Sequence, residues 1–84
     1  MFEKNKKYII RSVTHTYTGE VVEIDATHLK LNTCAWIADS GRWMNAIKDG
    51  DLNEVEPMGD GVIVSLGAII DATPWVHELP KEQK

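Results

Sequence analysis

Cysteine is almost missing from this sequence: one, Cys34, in 84 residues. A lone thiol excludes an intrachain disulfide and suits a reducing compartment. Phosphate-cradling glycine loops are missing too. There is no Gly-x-x-x-x-Gly-Lys run, and Ser40-Gly41 is not part of a Gly-x-Ser-x-Gly elbow, so the signatures of a nucleotide hydrolase or a serine hydrolase are not present. No apolar run comes near the ~20 residues that span a bilayer, and Met1-Phe2-Glu3-Lys4-Asn5-Lys6-Lys7 leads into no apolar segment of signal-peptide type. Neither a membrane role nor secretion is expected. Positive charge is also scarce, with a formal net charge of −4. That balance opposes binding to long nucleic acids, which requires a basic stripe.

Metal-ligand spacing is likewise lacking. His15, His28 and His77 lie far from one another and from Cys34, so no zinc pattern forms. Asp49-Gly50-Asp51-Leu52-Asn53 opens like a calcium loop, but Glu54 and Asp60 stand where the sixth-position glycine and twelfth-position glutamate belong. No metal and no cofactor is expected. The carboxylates Asp49, Asp51, Glu54 and Glu56 read as a solvated acidic face, and the scattered Cys, Ser and His residues show no nucleophile and oriented base. The chain reads as a non-enzyme.

What is present is ordinary globular material, 43% hydrophobic and 26% charged, which argues for a folded chain. The length allows one domain, spanning 1–84, with 1–6 and 78–84 expected to be mobile. A domain of this size buries only about 60–65% of the surface its unfolded chain exposes, so self-association as a dimer or tetramer is a reasonable source of extra stability. The first 42 residues carry six Lys/Arg against five Asp/Glu, and the remainder three against eight. An anion would therefore meet the first half.

Strand signals dominate. Tyr8-Ile9-Ile10-Arg11-Ser12-Val13-Thr14 and Val21-Val22-Glu23-Ile24 are β-branched runs interrupted at Thr18-Gly19-Glu20, which predicts a hairpin turning there. After a turn at Asp25-Ala26-Thr27, Leu29, Leu31, Thr33, Ala35 and Ile37 alternate with His28, Lys30, Asn32, Cys34 and Trp36. Period 2 puts the first set in the core and the second, Cys34 and Trp36 included, on the opposite face. Asp39-Ser40-Gly41 offers N-caps for a short helix on the stripe Trp43, Ala46 and Ile47, closed by Gly50. Asn53-Glu54-Val55-Glu56 is a short strand stopped by Pro57, and Pro57-Met58-Gly59-Asp60-Gly61 a turn. Val62–Leu66 and Ala68–Ala72 are nearly continuous apolar runs around Gly67, a pattern that needs cover on both faces. The expected fold is mainly β: a small antiparallel barrel-like or sandwich-like domain with one short helix.

Aromatic and arginine residues are the best candidates for a ligand site, since an indole stacks on a flat base and a guanidinium forks onto phosphate. Trp36, Arg42 and Trp43 are close in sequence, and the helix start beside them offers free N–H groups. The competing reading places Trp43 in the core and Trp36 in a subunit interface.

Across Arg11-Ser12-Val13-Thr14, Tyr17-Thr18-Gly19-Glu20-Val21-Val22, Ala35-Trp36-Ile37-Ala38-Asp39-Ser40-Gly41-Arg42-Trp43, Leu52-Asn53-Glu54-Val55-Glu56-Pro57 and Gly67-Ala68-Ile69-Ile70-Asp71-Ala72, the chain resembles a widespread group of small tailed-bacteriophage proteins. Cys34 and Trp43 depart from that pattern. The group looks like the anti-CBASS sponges, compact oligomers that sequester cyclic-nucleotide immune signals without cleaving them. The resemblance implies a homo-oligomer in the host cytoplasm holding a small anionic nucleotide between subunits. In that reading Trp36 and Trp43 stack on bases, Arg11 and Arg42 meet phosphates, and Tyr17, Thr18 and Asn45 hydrogen-bond. The alternative is a phage structural or host-takeover module that docks on a protein and takes no small ligand.

Overall fold

The computed structural model describes all of residues 1–84. Its order is β1 (Lys7–Ser12), β2 (Thr16–Ile24), β3 (His28–Asp39), α1 (Trp43–Asp49), β4 (Glu54–Gly59), β5 (Val62–Ser65), a single 3₁₀ turn (Leu66–Ala68) and β6 (Ile69–Pro74). The expected mainly β fold with one short helix is what forms. All six strands belong to one antiparallel sheet ordered β4-β3-β2-β1-β6, with β5 also on β3. β5 pairs with the first half of β3 (His28–Leu31) and β4 with the second half (Cys34–Asp39). Three residues of 3₁₀ turn then carry the chain from β5, on β3, to β6, on β1. So short a link between distant strands forces the sheet to coil on itself.

Two small cores result, one on each face. Tyr8, Ile10, Val21, Leu29, Leu31, Cys34 and Val64 form the first. Ile9, Ala35, Ile37, Ala46, Leu52, Val55 and Trp75 form the second, beneath α1. Neighbouring residues of β1 thus feed opposite cores, which is why its sequence reads as an unbroken apolar run rather than an alternation. Each fully buried aliphatic side chain contributes roughly 1.5–3 kcal/mol.

The switch between cores within β3 happens at Thr33. Its backbone is left-handed (φ 48°), and the pairing with β2 slips there, from Glu20↔Asn32 to Thr18↔Ala35. The bulge is pinned from the β4–β5 turn: the Thr33 N–H donates to Asp60 Oδ1 (2.8 Å) and the Gly61 N–H to Asn32 Oδ1 (3.0 Å). An extra residue inverts the alternation beyond it. Cys34, expected outside with Trp36, is therefore buried, and burial pushes its thiol up to about 12.

Three further expectations are corrected. The first hairpin turns at residues 13–15, not at Thr18-Gly19-Glu20, which lies inside β2. Gly19 is there because β3 passes close: a Cβ would sit 3.2 Å from Leu31 Cβ. The helix N-cap is Arg42, with no side-chain cap, while Asp39 Oδ1 accepts from the Gly41 N–H (2.8 Å). β4 runs through Pro57. At the two ends of the chain, the Asn5 N–H donates to Val21 O (2.6 Å), and the backbone of Lys84 exchanges both hydrogen bonds with Val55 (2.9 and 3.0 Å).

Candidate functional site

The β1–β2 turn decides where the candidate residues go. Ser12 closes it, donating its N–H and hydroxyl to His15 O (2.7 and 2.9 Å) and accepting the His15 N–H at Oγ (3.0 Å). β2 then starts at Thr16, so Tyr17 and Thr18 are strand residues with opposite orientations.

Cross-strand register assigns the faces. Ile10, Tyr17 and Trp36 are lateral partners and share the face of the first core. Ile9, Thr18 and Ala35 form the next row and point to the second core, as do Arg11 and its partner Thr16. The seven candidates therefore do not form one site.

Tyr17 and Trp36 stand together at the rim of the first core, and a residue the sequence reading missed joins them. The His15 ring stacks on Tyr17 (centroids 5.8 Å, interplanar 15°) and meets Trp36 edge to face (5.5 Å, 63°). Its Nδ1 is 2.7 Å from Thr14 Oγ1. Trp36 is 39% exposed and His15 is exposed, so three rings form an open aromatic ledge. The local clue was the spacing His15-x-Tyr17, which puts two rings on one side of a strand entry. The expected turn at Thr18-Gly19-Glu20, five residues too late, hides it.

On the other face Arg11 lies over Trp43, its guanidinium carbon 4.8 Å from the ring centroid. Its Nε donates to Asp71 Oδ1 (2.8 Å) and a terminal nitrogen to Asp71 Oδ2. The hydrogen bonds from Arg11 hold the Asp71 carboxyl below its ordinary value, and Asp71 in turn raises Arg11. Arg11 is thus committed to a fork with β6, and Trp43 packs against the second core. Arg42 and Asn45 are exposed at the start of α1, with no side-chain hydrogen bond or ion pair. Thr18 is a plain correction. It is fully buried and its hydroxyl has no partner, so it cannot reach a ligand.

Four clefts stand out on the surface. One of ≈330 Å³ lies against Ile24, His28 and Leu29; two of ≈510 Å³ flank Tyr8 and the C-terminal tail; one of ≈190 Å³ adjoins Cys34 and Asp60. None is lined by the aromatic ledge or by Arg11, Arg42, Trp43 or Asn45. No three His, Cys, Asp or Glu side chains converge as a metal site, and no helix is long and apolar enough to cross a membrane. Comparison with family models, curated proteins and solved structures returns no match to this chain.

Proposed function

We propose that the chain is a non-catalytic binding protein that sequesters a small nucleotide-type ligand in the host cytoplasm. The cyclic-nucleotide class comes from its resemblance to phage anti-defence sponges. The observation that carries the reading is the ledge of His15, Tyr17 and Trp36: three rings in contact, two of them exposed and one half-buried, held on a sheet, the arrangement on which a flat base stacks. Stacking of this kind contributes about 1–3 kcal/mol per base. Arg42 and Asn45, exposed at the start of α1 on the other face, are proposed as polar contacts supplied by a second copy, because Arg11 is held by Asp71 and Thr18 is buried.

An open ledge covers only one side of a ligand. The proposal therefore includes a homo-oligomer, dimer or tetramer, in which a second copy closes the site. Ile63 and Ile70, 62% and 65% exposed on β5 and β6, support self-association, since these strands have no partner on their outer edges. Calorimetry against cyclic di- and trinucleotides, with light scattering for size, tests the reading. Binding that Trp36→Ala weakens at least tenfold supports it, and absence of heat with every member overturns it.

One observation favours a second reading. The ledge lies outside every cleft described above, and a flat aromatic surface also suits a protein partner, where Trp and Tyr are common anchors. A stoichiometric complex recovered from infected-host lysate, lost in Trp36→Ala, with no nucleotide binding, would select that reading.

A further inference from the structure

We infer that His15 is the specificity-determining residue of the aromatic ledge, its Nε2 making the directional polar contact to the edge of a nucleobase lying against Trp36. The inference rests on the nucleotide reading above and names which atom discriminates among bases.

His15 is held more firmly than its exposure calls for. Its ring has a stacked neighbour in Tyr17, an edge-to-face neighbour in Trp36, and a hydrogen bond at Nδ1 with Thr14 Oγ1. The turn itself needs none of these. All three bonds that close it use the backbone of His15 and the N–H and hydroxyl of Ser12, so any side chain at position 15 would leave them intact. Fixing an exposed side chain costs conformational entropy. When that cost is met before binding, a ligand gains the contact without paying for the ordering.

The free atom is Nε2, which has no partner within the chain. Thr14 sets its character. If the Thr14 hydroxyl donates to Nδ1, Nε2 carries the proton and donates; if Nδ1–H donates to Thr14, Nε2 accepts. Thr14 is therefore a positioning residue. A base whose edge offers the complementary group gains a hydrogen bond, and one that does not leaves a polar atom unmatched beside the stack, the asymmetry that makes polar contacts selective. Stacking on Trp36 alone would treat all bases nearly alike.

Calorimetry of the full chain with cyclic diadenylate, cyclic diguanylate and cyclic diuridylate tests this, using wild type, His15→Phe and Thr14→Val. His15→Phe keeps a ring in the stack and removes Nε2. The expected result is that wild type prefers one base, that His15→Phe binds it about tenfold more weakly while the others change little, and that Thr14→Val shows a smaller loss. The ¹⁵N shifts of His15 should report one tautomer in wild type and a mixture in Thr14→Val. Unchanged affinity and preference in His15→Phe would overturn the assignment and leave the binding reading standing. Wild type binding none of these three, nor any other cyclic di- or trinucleotide, would overturn both.

Discussion

The Thr18 hydroxyl is sealed at the second core, in one cross-strand row with Ile9 and Ala35, without a hydrogen-bond partner. An unpaired buried hydroxyl costs about 1–3 kcal/mol, whereas an apolar group of the same shape does not. Thr18→Val should therefore raise stability by about 1 kcal/mol, read as a higher urea midpoint at unchanged slope. A lower midpoint would mean that the hydroxyl is satisfied in solution. At the surface, Asp71 and Asp25 are both held below their ordinary 3.8, Asp71 by Arg11 and Asp25 by the N–H groups of Thr27 and His28. A carboxyl with a lowered folded-state pKa contributes stability in full above the unfolded value, and loses it as pH falls through the folded value. Stability should thus decline from about pH 4 downward, and Asp71→Asn should make that decline shallower. The difference should shrink at high salt, because the pair is exposed.

The elements depend on two backbone features that composition only hints at. Gly50 ends α1 in the left-handed region (φ 74°), with its N–H on Ala46 O, and lies so close to His77 that a Cβ would sit 2.8 Å from the imidazole. His77 Nε2 is in turn 2.9 Å from Ile47 O, so one residue of the C-terminal segment caps the helix. Gly50→Ala should destabilise by on the order of 2 kcal/mol, combining left-handed strain with the displaced ring, and should shift the His77 ring resonances in NMR. Gly50 as a helix stop was legible from its place after the stripe Trp43, Ala46 and Ile47. The bulge at Thr33 was not. A β-branched residue in left-handed backbone contradicts local preference, and its cause, the Asp60 carboxylate, lies 27 residues away. Period-2 reading therefore sent Cys34 to the wrong face, and although it buried Leu29, Leu31, Ala35 and Ile37 correctly, it put on one face residues that the bulge divides between two cores.

At the scale of the molecule, the second core is closed by chain that composition marks as a polar tail. Leu79 packs against it, Trp75 Nε1–H donates to Glu78 O (3.0 Å), and Lys84 pairs with Val55 on the outer edge of β4. Pro57, which has no N–H, limits further pairing on that strand. Removal of 78–84 should lower stability by about 1–3 kcal/mol through lost burial and an uncovered edge, and amide exchange should quicken at Val55 while the first core stays protected. Equal protection in both cores would show that the tail contributes nothing.

The candidate site divides along the same line. Composition and pattern alone established a single small β-rich domain, the helix and its stop, most of β3, and the aromatic and arginine residues from which a ligand surface could be built. Those properties are local, set by side-chain chemistry and periodicity over a few residues. Only the tertiary structure decided which residues share a face. One bulge, pinned from 27 residues away, and the position of one turn, closed between Ser12 and His15, put His15 with Tyr17 and Trp36, paired Arg11 with Asp71, and sealed Thr18 inside. In a sheet the face alternates with every residue, so a one-residue shift relocates a side chain across the whole thickness of the protein.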